Sequence, residues 1–199
     1  MNAFDIEIPT VIERTAKGER SYDIYSRLLL DRIVYVSGVI NTDVANAVVA
    51  QLLFLQSQGG KKEISLYINT PGGEPSACLA IYDAIKLIQC PVATYCLGQV
   101  VSFGVLLLAA GSQGRRFSLP NARIVIDQPW NKTKGKASDI EIVAKEMLCL
   151  RSVMCERLAA CSGKTVKDIE DITDRECFWD PEEALKFGLI DKILLPTQG

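Results

Sequence analysis

Helix-period and strand-period segments alternate along this chain, strands run into glycine turns, and the length suits one sizeable core. Together these predict an α/β fold with parallel strand pairings in a single domain. Of 199 residues, 48% are apolar and 23% charged, the balance of a globular chain rather than a disordered one. Roughly 200 residues fit one domain. Alternating strands and helices favour parallel pairing, because each crossover helix returns the chain to the same sheet.

A polar N-terminal arm, residues 1–20, precedes a helix predicted over Ser21–Leu30 and a β-branched strand over Arg32–Val36. Asp43 is placed to cap a helix through Leu55, in which Val44, Val48, Leu52 and Leu55 recur at helical spacing before Gly59-Gly60. Glu63–Asn69 alternates Ile64, Leu66 and Ile68 on one face, then meets the turn residues Thr70-Pro71-Gly72-Gly73. Ser76–Ile88 is helical again. Val92–Gly98 reads as a buried strand, followed by a small-residue turn and a helix to Ala110 that Gly111 stops. Short strands are expected at Arg115–Leu119 and Ala122–Asp127, then a basic loop over Asn131–Lys136. Ser138 and Glu141 have capping-box spacing and open a long helix to about Ala160. Thr165 caps a short helix, Asp180-Pro181 opens another that stops at Gly188, and Leu189–Leu194 is the last strand.

Composition excludes several function classes. With 22 basic and 24 acidic side chains the net charge is −2, so neither nucleic acid nor an anionic membrane is an expected partner. The longest apolar stretch, Val100–Ala110, is interrupted by Ser102 and Gly104 and falls short of the ~20 residues of a spanning helix. MNAFDIEIPT lacks the basic and apolar regions of a secretory signal, so the cytoplasm or an organelle interior is expected. Histidine is absent, which removes His-ligated zinc, Ser-His-Asp and Cys-His catalysis, and histidine pH sensing. Seven cysteines (Cys78, Cys90, Cys96, Cys149, Cys155, Cys161, Cys177) contain no C-x-x-C pair. They are expected to be reduced, small core residues, with no metal site and no cofactor.

Two motifs are decoys. Gly163-Lys164-Thr165 ends like a P-loop, but Leu158 stands where the first glycine is required and a helix precedes it. Asn131-Lys132-Thr133 is a glycosylation sequon that stays inert without secretion. Two others carry chemistry. Asn69-Thr70-Pro71-Gly72-Gly73 at a strand end suits either a tight turn or an oxyanion hole, since glycines leave backbone N–H groups unobstructed. In Gly98-Gln99-Val100-Val101-Ser102-Phe103-Gly104, Ser102 opens a helix and suits either an N-cap or a nucleophile. It is not the G-x-S-x-G elbow, because Val100 replaces the first glycine.

Taken in order, VIERTAKGERSYDIYSRLLLDRIV, INTPGG, IYDAI, LGQVVSFGVLLLAAGSQGRRFSLPNARIVIDQP, the helix after GKASDIE, DITDRECF and EEALKFGLIDKIL resemble the ClpP family, the serine-peptidase subunit of ATP-dependent Clp proteases. The resemblance runs from about Pro9 to Leu194. It implies a crotonase-like ClpP fold of stacked βαβ units, with an axial arm at residues 1–20 and a protruding handle (helix plus strand) within residues 128–160. It also implies heptameric rings stacked in pairs around a chamber, self-associated or mixed with catalytic subunits. A hexameric AAA+ ATPase of the ClpX, ClpA or ClpC type would thread unfolded polypeptides into it. On this resemblance Ser102 holds the nucleophile position, Gly73 and Phe103 supply the oxyanion-hole N–H groups, Asp174 and Arg175 couple the two rings, and Tyr67 belongs to the ATPase-docking surface.

The departures bear on activity. Val125-Ile126-Asp127-Gln128-Pro129 puts Asp127 where the family has its histidine base, and Glu176 falls on the position of the family's third member, an aspartate. A carboxylate is a weaker base than imidazole by roughly 2–3 pKa units, and it has no N–H for a third residue to orient. Val100-Val101 replaces a small pair before the serine, and Asn131-Lys132 after Trp130 replaces a glycine pair on the substrate-docking strand. The expectation is a non-catalytic, structural ring subunit similar to the ClpR-type paralogues. The alternatives are a serine endopeptidase with a non-histidine base, and acyl-thioester chemistry in a crotonase-like oxyanion hole.

Overall fold

The structure, a computed structural model, describes residues 8–15, 18–129 and 134–195. Most of the described N-terminal arm is a hairpin. Strand β1 (Thr10–Thr15) pairs antiparallel with β2 (Gly18–Asp23). Residues 1–7 and 16–17 of the arm lie outside the described residues. Because Ser21 and Tyr22 still pair with β1, helix α1 (Ile24–Leu30) starts three residues later than its sequence suggests. Asp23 caps it by accepting from the Ser26 N–H at 2.9 Å.

The elements that follow are β3 (Ile33–Ser37), α2 (Thr42–Ser57), β4 (Ile64–Thr70), α3 (Pro75–Leu87), β5 (Val92–Val101) and α4 (Phe103–Ala109). The chain continues through β6 (Arg116–Ser118), β7 (Arg123–Ile126), α5 (Ala137–Ser162), α6 (Val166–Thr173), β8 (Cys177–Trp179), α7 (Pro181–Phe187) and β9 (Lys192–Ile193). Strands run β3-β4-β5-β6-β9, all parallel; β7 lies parallel beside the far half of β5, and β8 is antiparallel to β7. This is the α/β architecture expected, with helices covering a parallel sheet. The alternation of Ile64, Leu66 and Ile68 holds, all three being buried. Every residue of α4 is buried, which is why this helix is apolar all round.

Two cap assignments are corrected. Asn41, not Asp43, caps α2 through the Val44 N–H, and Asp43 sits in the first turn where the helix dipole favours it. The Ser138–Glu141 capping box does not form, because α5 starts one residue earlier, at Ala137, with Lys136 at the cap. Thr165 and Asp180 do cap α6 and α7, each in a reciprocal capping box. Gly163 is the left-handed stop of α5 (φ 71°), so Gly163-Lys164-Thr165 is a helix stop and a cap. The cysteine expectation holds in part: Cys78, Cys90, Cys96 and Cys155 are buried, Cys161 and Cys177 are half-buried, and Cys149 is exposed.

Helix α5 has 26 residues and so spans about 39 Å. Its buried residues, Met154, Cys155, Leu158 and Ala159, all lie in the C-terminal half. The N-terminal half exposes Ile140, Ile142 and Leu148. Residues 130–133, with Trp130, Asn131, Lys132 and the sequon, lie outside the described residues.

One ion pair closes the far end of the sheet. Arg116, 6% exposed, donates from Nε and Nη2 to the two oxygens of Asp191 at 2.9 and 2.6 Å, and from Nη1 to the Cys161 carbonyl at 2.8 Å. Burial alone would raise the Asp191 carboxyl, but hydrogen bonds from Arg116 and its charge hold it below the ordinary range. Its stabilisation is therefore complete above the unfolded pKa, near 4, and is lost as pH falls through the lower folded value. Asp191→Asn should lower the melting temperature at neutral pH and flatten its fall on acidification; an unchanged acid limb would contradict this.

Candidate active site

The site is built by a change of partner along β5. Its first half pairs with β6, Thr94–Cys96 opposite Arg116–Ser118; its second half pairs with β7, Gln99–Val101 opposite Arg123–Val125. Gly98 is the pivot. It has φ +61°, and an added Cβ would lie 2.8 Å from Asn69 Oδ1, so no other residue fits there without strain. The strand thus continues three residues past the turn expected after Gly98 and delivers Ser102 beside the end of β7.

Ser102 follows β5 directly, with φ 55° and ψ −124°. For a residue with a side chain this conformation costs of order 1–3 kcal/mol. Its N–H donates to the Val125 carbonyl at 2.9 Å, and its hydroxyl caps no helix amide. The N-cap account of this serine therefore fails. The side chain faces a cleft of about 430 Å³ with Gly72, Gly73, Phe103, Asp127 and Glu176 in its wall.

Gly73 is more than a turn residue. It bridges to Ile40 in parallel register through the Ile40 N–H on the Gly72 carbonyl (3.0 Å) and the Glu74 N–H on the Ile40 carbonyl (2.8 Å). In this pattern the middle residue's own N–H points away from the bridge, and that of Gly73 finds no partner among the described residues. The Phe103 N–H, first in α4, is likewise unpaired because the first turn of a helix has no internal acceptors. Two free N–H groups thus flank Ser102. Thr70, legible in the sequence only as a turn residue, holds this arrangement. Its buried hydroxyl donates to the Gly38 carbonyl at 2.6 Å and accepts from the Gly72 N–H at 3.0 Å.

Asp127 follows β7 directly. The short strand β8, which the sequence did not reveal, runs antiparallel with Ile126 opposite Cys177 as the last pair; Asp127 and Glu176 are the next residues along, and both line the cleft. The Gln128 side chain donates to the Asp174 carbonyl at 3.0 Å and ties the preceding turn down.

A comparison with protein-family models matches residues 16–197 to the Clp protease family. The chain belongs to the Clp protease family. The match spans nearly the whole chain; chemically, two free N–H groups beside a serine are donors available to an oxyanion.

What stands beside them here is a carboxyl pair. Burial raises the Asp127 pKa above the ordinary aspartate range; the Ser102 hydroxyl offsets this in part, and the charge of Glu176 adds to it. Asp127 Oδ1 is buried with no hydrogen-bond partner among the described residues. Glu176 is exposed. The remaining positions singled out in the sequence lie away from the cleft. Asp174 ends α6 and Arg175 follows it, both exposed. Tyr67 lies on the sheet face opposite Leu66 and Ile68, in register with Tyr35, Tyr95 and Phe117 across four strands. Its ring stacks on Tyr95 with centroids 4.4 Å apart. Among the described residues no group of three or more acidic or cysteine side chains is arranged to hold a metal, and no helix is long and apolar enough to cross a membrane.

Proposed function

We propose that this Clp protease family chain is a non-catalytic ring subunit, similar to ClpR-type paralogues, that builds a peptidase chamber together with catalytic subunits. The observation that supports this reading is that Asp127 and Glu176 share the wall of the Ser102 cleft, where the charge of Glu176 acts on Asp127. Two carboxylates in that place share a proton or repel each other instead of passing a proton from serine to a leaving amine. The scaffold around them is kept: the strained serine, the free N–H pair and the Thr70-held turn. Tyr67 would serve ATPase docking, its aromatic row giving an apolar strip for loops of a hexameric partner, and Asp174-Arg175 would meet the opposite ring. Unfolded polypeptide is the cargo of such a chamber.

Purified alone, the chain should leave small fluorogenic peptides uncut and react slowly with a fluorophosphonate. Robust hydrolysis that Ser102→Ala abolishes would overturn the reading. Co-purification from the native source should bring down a catalytic Clp subunit at fixed stoichiometry.

A second reading has its own support. The raised pKa and unpartnered Oδ1 of Asp127 are what a carboxylate base near Ser102 would need. An active endopeptidase of this kind would gain rate as pH rises through the Asp127 pKa, and Asp127→Asn would silence it.

A further inference from the structure

The cleft of about 430 Å³ holds every part of an acyl-transfer site except a good base. Ser102 stands in its wall with a hydroxyl that caps no helix amide, and the N–H groups of Gly73 and Phe103 are unpaired beside it. Asp127 lines the same wall, and its Oδ1 is buried with no hydrogen-bond partner among the described residues. A buried acceptor left unpaired costs free energy until a donor reaches it. No imidazole can come from the chain or from a second copy of it, because the sequence has no histidine. The volume is that of a ligand site, and Val39, Pro71, Pro75 and Val101 add apolar surface against which a planar ring packs. A guest that satisfies Asp127 must donate an N–H, and one that completes the site must also accept the Ser102 proton. Ammonium and guanidinium groups have no acceptor, and an amide is too weak a base to deprotonate serine. Neutral imidazole does both, donating from one ring nitrogen and accepting at the other.

We propose that this cleft hydrolyses polypeptides whose own histidine enters it and serves as the base that the chain lacks. The histidine N–H donates to Asp127 Oδ1, and the carboxylate charge stabilises the imidazolium that forms. The other ring nitrogen takes the Ser102 proton as Oγ bonds to the scissile carbonyl carbon, whose oxygen accepts from the Gly73 and Phe103 N–H groups. The imidazolium then protonates the amine as the C–N bond breaks. In the second half, water bonds to the acyl carbon, its proton passes through the same ring to Oγ, and the ester bond breaks. Both halves need the ring. A histidine on the acyl side of the cut therefore gives turnover, whereas one on the amine side departs after the first half and leaves one acyl group on each chain. This activity rests on the reading above that the chain by itself lacks a working base, and it confines hydrolysis to histidine-bearing substrates.

The test uses the purified full chain and fluorogenic peptides with histidine at each of the three positions before the cut, each beside a glutamine counterpart. At least one histidine peptide should turn over about 10²-fold faster than its counterpart. Its rate should rise with pH through the imidazole pKa, near 6.5, and Ser102→Ala should abolish it. Asp127→Ala, which removes the acceptor, should lower it about tenfold or more. Histidine and glutamine peptides that both stay uncut overturn the proposal and leave the non-catalytic reading standing. Both cut at equal rates, with Ser102 required, they overturn the proposal and that reading together. Turnover that survives Ser102→Ala, or that is unchanged in Asp127→Ala, also overturns it. The paired peptides need no variant, so the comparison holds even if Asp127→Ala fails to fold.

Discussion

Asp127→His should raise hydrolysis of a small fluorogenic peptide by about 10²-fold or more, the usual contribution of a positioned general base. On the proposed reading the other groups that acyl transfer needs are Ser102, held at φ 55°, and the N–H groups of Gly73 and Phe103, unpaired beside it. Imidazole supplies a base whose pKa lies near neutrality, and it has a second nitrogen that Glu176, in the wall of the same cleft, can orient. Pairing the change with Glu176→Asp gives serine, histidine and aspartate at the three positions and should add to the gain. The expected signature is turnover that vanishes in a Ser102→Ala background and a rate that rises with pH through the histidine pKa. A double variant that folds and assembles yet stays silent would place the defect in the cleft wall, at Val101, and not in the base.

Gly73→Ala should lower the melting temperature by about 6–12 °C, corresponding to about 3 kcal/mol. An alanine Cβ there would stand 2.0 Å from the Ile40 carbonyl oxygen and 2.6 Å from its nitrogen, both backbone atoms that cannot swing aside. The bridge between the loop after β3 and the turn after β4 would have to open. With it would go the direction of the Gly73 N–H, so any activity gained in the Asp127→His background should be lost as well. Gly72→Ala is the milder control: its φ of +93° is strained for alanine, but the nearest atom, the Val101 carbonyl oxygen, is 3.1 Å away. About 1–2 kcal/mol is expected there. Equal effects of the two changes would mean that backbone conformation, and not the Ile40 contact, governs the turn.

Much of the fold could be read from local pattern. The alternation in β4, the apolar α4, the capping boxes of α6 and α7, and the left-handed stop at Gly163 all follow from residue types within a few positions of one another. Where local reading failed, a distant partner had decided. The start of α1 was moved by pairing with β1, β5 was carried past Gly98 by a second strand partner, and β8 has only three residues with no period to detect. Thr70 was legible as a turn residue; its reach to Gly38, 32 positions away, was not.

By itself, the sequence determined the chemistry available to this protein: no imidazole anywhere, a serine before an apolar helix, two glycines after a strand, and carboxylates at positions 127 and 176. Those are facts of composition and order, and folding cannot alter them. Tertiary structure decided what these groups do to one another. The antiparallel pairing of β7 and β8 brings two separate acids to one cleft, and burial raises the pKa of one of them. The physical reason is that charge coupling and desolvation depend on distance and burial, and both are set by contacts between segments some fifty residues apart.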